Sequence, residues 1–277
     1  MKVYNTKKGV IFQTEDVFYL VDEDWDVFIN DDNLLNKLSG LVSKLKPIEN
    51  AESIVANQLL VPMQSQELWA SGVTYFNSKL ARQEESKKAG GGNYYENVYN
   101  ADRPELFFKA NVHRTVPSGS TVNIRKDSIW DVPEPELTLA ITSSGKIIGY
   151  TIGNDMSSRS IEGENPLYLP QAKTYDACAG VGPCIYVTNE QLPPETIISM
   201  KITRANKMIF KGNVEIKQMK RKPEELVSYL YRECSFPHGS LLMTGTGIVP
   251  PKTFTLQSQD KIEITIDVIG TLINYVN

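Results

Sequence analysis

The stretch WDVPEPELTLAITSSGKIIGYTIGND, residues 130–155, decides how the rest of the chain is read. Glu134 and Glu136 flank Pro135, and residues two apart on a strand project from one face, so both carboxylates aim at one point. Residues 137–141 continue as an apolar, β-forming run, Ser143-Ser144-Gly145-Lys146 supplies turn chemistry, and residues 147–152 return as a second strand ending in Gly153-Asn154-Asp155. An antiparallel return sets Asp155 beside Glu134 and Glu136. Three converging carboxylates repel one another unless they are protonated or joined by a cation. An all-oxygen set suits Mg²⁺ first, with Mn²⁺ or Ca²⁺ as substitutes. The competing reading is a solvated edge strand in which Pro135 blocks further pairing.

The 277 residues are 41% apolar, enough for one large core or for a main domain with a small appendage. With 29 basic against 33 acidic residues the net charge is −4, which gives no electrostatic footprint for nucleic acid or for an anionic membrane. A small-molecule partner is expected instead. No window is long and apolar enough to span a bilayer, and residues 1–13 lack the succession of a signal peptide, so a cytoplasmic location is expected. Cys178, Cys184 and Cys234 are odd in number and lack metal-ligand spacing, which argues against a disulfide framework or a zinc site.

Short strands at 3–4, 9–13 and 17–21, an acidic stretch, and a helix over 33–45 with leucines at helical spacing define a small N-terminal β/α domain, residues 1–62. Residues 63–277 form the main domain. A charged helix over 76–89 carries Arg82, Glu84 and Glu85 and ends at Gly90-Gly91-Gly92, which reads either as a solvated face or as the hinge of a mobile cover. Glu105 and Lys109 bracket an apolar strand on one face. They either pair with each other or line a pocket that needs a base and a cation. Lys173, among small residues, is either fixed toward such a site or reaches solvent along its stem. Thr244-Gly245-Thr246-Gly247 places hydroxyls between glycines, where backbone N–H groups approach an anion closely. A hairpin turning at Ala205-Asn206, a helix over 223–231 and a last strand over 261–268 complete the reading.

Taken together, Pro-Glu-Leu-Phe-Phe-Lys at 104–109, Pro-Glu-Pro-Glu-Leu at 133–137, Gly-Tyr-Thr-Ile-Gly-Asn-Asp-Met-Ser-Ser-Arg at 149–159, Lys173, and Thr-Gly-Thr-Gly at 244–247 resemble the fumarylacetoacetate hydrolase family. The likeness runs from about residue 69 to the C-terminus. It implies an α+β, strand-rich fold, a mixed β-sandwich roll with a small N-terminal β/α domain. It also implies Mg²⁺ held by Glu134, Glu136 and Asp155, and a homodimer or higher homo-oligomer. C–C hydrolases of the family carry Gly-x-Asn-Tyr-x-x-His, whose histidine activates water; here residues 72–78 put Ser78 in that place. The segments 103–110 and 164–173 resemble instead the sugar-acid branch of the family, whose members are hydro-lyases. That likeness implies dehydration of a 2-keto-3-deoxy-pentonate to a 2,5-dioxo acid through a metal-stabilised enolate, with Glu105 and Lys173 as the acid/base pair. Lys109, Arg82, Tyr75 and Thr246 are then expected to bind the 2-oxo acid. The alternative is hydrolysis of an acylpyruvate or fumarylacetoacetate on the same metal site, with water held by Glu84 or Glu85.

Overall fold

In a computed structural model that describes residues 1–85 and 94–277, the strands Pro135–Ile141 and Ile147–Asp155 form the antiparallel hairpin expected from the sequence. Gly145 makes the turn at φ +85°, where a side chain would be strained. The register sets Gly153 opposite Glu136 and Asn154 opposite Pro135, and the Asp155 N–H donates to the Glu134 carbonyl at 2.9 Å. The third carboxylate is thereby returned beside the first two.

This hairpin is the middle of a ten-stranded mixed sheet. On one side it continues through Ala179–Val187 to the N-terminal strands Lys2–Thr6, Gly9–Thr14 and Val17–Val21. On the other it continues through Ser240–Met243 and Glu67–Gly72 to Glu105–Ala110. Every residue of Pro135–Ile141 is buried, because the sheet is covered on both faces. A strand so placed reads as a continuous apolar run, with no alternation. The edge-strand reading of Glu-Pro-Glu is excluded by that burial.

One face packs on a five-stranded sheet, Lys207–Glu215, Ile197–Arg204, Lys261–Ile266, Gly270–Val276 and Ser120–Val122. Ile198, Met200 and Ile202 point inward at a period of two and share a core with Leu137, Leu139 and Ile152. On the opposite face Trp25, Phe28, Leu34 and Leu38 share a core with Ala140, Ile148 and Met243. The fold is the strand-rich α+β sandwich expected.

Several boundaries differ. The acidic stretch after residue 21 contains a short helix, Trp25–Ile29, started by Asp24, whose side chain accepts from the backbone N–H groups of Asp26 and Val27. The stretch between the helix Leu34–Val42 and the strand Glu67–Gly72 holds the helix Ala51–Asn57. The strand expected over 261–268 stops at Ile266. Val268 adopts φ +65° and the chain returns as a further strand, Gly270–Val276, so β-branched residues that favour strand sit in a turn. The charged helix is seen as Phe76–Glu85; the rest of it and Gly90-Gly91-Gly92 lie outside the described residues. Cys178 and Cys184 are buried and Cys234 is exposed. No helix among the described residues is long and apolar enough to cross a membrane.

Candidate active site

Glu134, Glu136 and Asp155 come together at the end of the hairpin, each with one carboxylate oxygen within 4.8 Å of the others, and all are buried. Two of the three are compensated by protein cations. Lys173, on the short helix Leu169–Lys173, donates to Glu134 Oε2 and to Asp155 Oδ2, each at 2.8 Å, and to Ser157 Oγ at 2.6 Å. Arg159 closes on Glu134 Oε1, and Lys109 Nζ lies 2.6 Å from Asp155 Oδ1. Burial opposes the Glu134 charge, but Lys173, Arg159 and Arg82 outweigh it and hold the carboxyl well below its usual range.

Glu136 is different. It takes a hydrogen bond from the Gly245 N–H at 2.5 Å, and no ammonium or guanidinium among the described residues lies within ion-pair distance. Burial first, then the Asp155 and Glu134 charges, push its carboxyl well above the usual range. A hard dication beside these oxygens removes that cost, and an all-carboxylate donor set fits Mg²⁺. The residues present therefore fit the metal that the chemistry calls for.

One backbone N–H of the Thr-Gly-Thr-Gly segment, that of Gly245, does approach a carboxyl group closely, and the carboxyl is the protein's own Glu136. Thr246, expected to touch substrate, lines a narrow recess beside the cluster, where its hydroxyl donates to the Ile248 carbonyl at 3.3 Å. Tyr75 is 1% exposed with an unpartnered hydroxyl, and burial, with Glu136 nearby, raises it well above the usual phenol range. The Lys109 ammonium is spent on Asp155 and on the carbonyls of Met156 and Lys173, which places it behind the carboxylate cluster. Ser78, where the hydrolases carry histidine, is buried and donates to the Tyr75 carbonyl at 2.9 Å. Glu84, weighed as a water carrier, pairs with Lys252 at 2.9 Å with its side chain 53% exposed. The Glu85 side chain lies outside the described residues.

Glu105 opens the strand Glu105–Ala110 opposite Gly72. Its Oε2 is enclosed without a hydrogen-bond partner, and burial foremost, with the Glu162 charge, raises its carboxyl above the usual range against the opposing pull of the Arg82 and Lys173 cations. The side chain also lines a cavity of about 710 Å³ whose wall includes Tyr95, Arg103, Glu162 and Leu169. Gly72 is what lets the carboxyl sit there, since a Cβ on it would lie 2.0 Å from Glu105 Oε2. Gly72→Ala is expected to leave thermal stability nearly unchanged, because the far end of a flexible side chain can swing away. Turnover should fall about a hundredfold from the misplaced carboxyl. Steady-state kinetics beside a melting curve checks this, and unchanged turnover would remove Glu105 from the chemistry.

Sequence reading missed Glu162 and gave Arg159 no role. Glu162 Oε1 lies 2.8 Å from Arg82 Nη1 and 3.6 Å from Lys173 Nζ, and its Oε2 lies 3.6 Å from Arg159 Nη1. Arg159 and Glu162 are three apart on the helix Arg159–Glu164, a spacing that brings them to one face, but nothing local tells that this face meets Arg82.

A ten-stranded sheet packed on a second sheet, with a buried carboxylate cluster at its central hairpin, defines a site suited to a divalent metal. The chain belongs to the fumarylacetoacetate hydrolase family: residues 74–277 match the family model described as fumarylacetoacetate (FAA) hydrolase C-terminal. It is 49% identical over 227 residues, 81% of this chain and 77% of the relative, to a probable 2-keto-3-deoxyxylonate dehydratase of Haloferax volcanii. It is 45% identical over 214 residues, 76% of this chain and 72% of the relative, to the 2-dehydro-3-deoxy-D-arabinonate dehydratase of Saccharolobus solfataricus. Among solved structures, a 2-keto-3-deoxy-D-arabinonate dehydratase complexed with magnesium and 2,5-dioxopentanoate matches with a TM-score of 0.84 at 35% identity, covering 100% of this chain and 99% of that one.

Proposed function

We propose that this chain is a Mg²⁺-dependent hydro-lyase that dehydrates a 2-keto-3-deoxy-pentonate, such as 2-keto-3-deoxy-D-arabinonate, to 2,5-dioxopentanoate. The observation that carries the reading is the buried Glu134–Glu136–Asp155 cluster with Lys173 and Glu105 beside it, in a chain whose relatives are dehydratases. Glu134, Glu136 and Asp155 would hold Mg²⁺, and Mn²⁺ or Ca²⁺ are expected to substitute. When bound, the cation supplies Lewis acidity to the carboxylate and keto oxygens of a 2-oxo acid, making the C3 protons more acidic.

The protein's own groups divide the remaining work. Glu105, with an unpartnered oxygen at the cavity wall, takes the C3 proton. Lys173, an ammonium fixed by Glu134, Asp155 and Ser157, delivers a proton to the departing C4 hydroxyl. Arg82 and the cavity around Glu105 orient the sugar chain, and Tyr75 and Thr246 shape the recess. Lys109 sets the position of Asp155 from behind. A homodimer or higher homo-oligomer is proposed from the family likeness, as is a cytoplasmic location from the sequence.

Purified protein incubated with Mg²⁺ and a panel of 2-keto-3-deoxy acids and acylpyruvates, with products scored by mass, tests the function. Loss of water from a deoxy-pentonate and none from metal-stripped protein is expected. Adding Mg²⁺ at a hundred times its dissociation constant should stabilise the stripped protein by about 2.7 kcal/mol, read as a higher melting temperature. A fully active metal-stripped enzyme would contradict the reading.

A further inference from the structure

Loss of water from a 2-keto-3-deoxy-pentonate does not by itself give a 2,5-dioxo acid. Removing a C3 proton and expelling the C4 hydroxyl as water leaves a C3=C4 double bond conjugated to the 2-oxo group, with C5 still a primary alcohol. To reach the aldehyde a proton must leave C5. The C5–H electron pair becomes C4=C5, the C3=C4 pair moves to C2=C3, and the 2-oxo oxygen takes the charge. C3 then gains a proton as the 2-oxo group reforms, and the C5 enol loses its O–H proton and gains one at C4. Two protons leave and two return, so no oxidant is required. A proton acceptor at C5, beyond the atoms served in the elimination, is what this sequence needs.

We propose that Glu162 is that acceptor, an inference that rests on the dehydratase reading above. Glu162 is 2% exposed, and it lines the same cavity of about 710 Å³ as Glu105. Its Oε1 lies 3.6 Å from Lys173 Nζ, whereas Glu134 and Asp155 lie 2.8 Å from the same nitrogen. Lys173 thus stands between the metal-binding end of the site and Glu162. A substrate with its 2-oxo acid at the carboxylate cluster and its C4 hydroxyl at Lys173 carries C5 onward to Glu162.

The carboxylate is suited to the step. Arg82 at 2.8 Å and Arg159 at 3.6 Å keep cations beside it, yet neither oxygen receives an aligned hydrogen bond, so lone pairs remain to accept a proton. A buried carboxylate with unsatisfied lone pairs is costly to maintain, and a role in the reaction accounts for it. The competing explanation is that Glu162 only positions Arg82 and Lys173.

The test follows both substrate loss and product identity by NMR for wild type, Glu162→Gln and Glu162→Asp, each loaded with Mg²⁺ and given the 2-keto-3-deoxy-pentonate. Wild type should release the 2,5-dioxo acid. Glu162→Gln should release the conjugated 5-hydroxy-2-oxo-3-enoic acid, its conversion to the aldehyde slowed about a hundredfold, and Glu162→Asp should restore part of that conversion. Elimination also slows in these variants as Arg82 and Lys173 lose a partner, so the readout is the ratio of enone to aldehyde released, which a purely positioning role leaves unchanged. A Gln variant that releases only aldehyde overturns the proposal. A measurement on wild type stands independently of how the variants fold: the enone itself, supplied to the enzyme, should isomerise faster than in buffer, and deuterium at C5 should slow it. No acceleration over buffer also overturns the proposal. If wild type consumes no deoxy-pentonate at all, it is the dehydratase reading that fails, and this inference falls with it.

Discussion

Glu136→Gln is expected to abolish Mg²⁺-dependent turnover while the fold survives. The wild-type carboxyl is 1% exposed and is pushed well above its usual range by burial and by the Asp155 and Glu134 charges. A neutral amide of the same length relieves that repulsion and keeps an acceptor for the Gly245 N–H. Metal-free Glu136→Gln is therefore expected to melt no lower than metal-free wild type. As a ligand for a hard cation the amide is far weaker than a carboxylate. Outer-shell substitutions at metal sites already lose about 10–100-fold, so a direct ligand should lose more than about a hundredfold in rate. Calorimetric titration should show the Mg²⁺ response gone as well. A variant with wild-type activity and an unchanged metal response would take Glu136 out of the site.

How far the sequence carried the reading differs between the hairpin and the rest. The Glu134–Asp155 neighbourhood was legible because it depends on two local rules, the period of two along a strand and the return of a short turn, and both held in the observed register. The apolar, β-forming character of residues 137–141 was also legible, but the burial of the strand on both faces was not, since the sequence left a solvated edge strand open. Lys109 and Glu105 lie on one strand, but the sequence left open whether they pair. In the structure Lys109 turns to Asp155 and Glu105 turns to Gly72 and the cavity. Which partner each takes is fixed by the strands Glu67–Gly72 and Ile147–Asp155, far away in sequence. Glu162 was invisible for that reason, since its partners Arg82 and Lys173 come from other helices. The Thr244 to Gly247 segment was recognised as backbone chemistry, but only the fold shows that the carboxyl its Gly245 N–H meets is that of Glu136. Val268 misled because β-branched residues favour strand wherever they stand, and the turn that takes it to φ +65° has no proline or asparagine to announce it.

Lys173→Met and Glu105→Gln are expected to lose similar rate and to move stability in opposite directions. The Lys173 ammonium holds Glu134, Asp155 and Ser157 together. Burial works against its charge, but Asp155, Glu134 and Glu162 outweigh that and hold it above its ordinary value. Removing it strands buried carboxylates, a loss of about 3–5 kcal/mol in metal-free protein. Mg²⁺ should recover much of this, because a dication at the same oxygens replaces the missing charge. Glu105 has the reverse balance. Its folded-state pKa is raised by burial foremost, so ionising it as the pH rises through that value costs stability, which an amide does not pay at neutral pH. Glu105→Gln should therefore melt at or above wild type. Each variant should lose about a hundredfold or more in dehydration rate, the scale of a positioned acid/base group. If Glu105 is the base, wild-type kcat/KM should fall on the acid side at a pH above the ordinary carboxylate range, and the residual activity of Glu105→Gln should lack that limb. Deuterium from solvent should enter C3 of unreacted substrate in wild type wherever reprotonation outruns loss of water, and should not enter with Glu105→Gln. Wild-type rates in both variants would remove Glu105 and Lys173 from the acid/base roles, and acylpyruvates split while the deoxy sugar acid is left intact would mean that the site runs hydrolytic chemistry with Ser78 in place of the histidine.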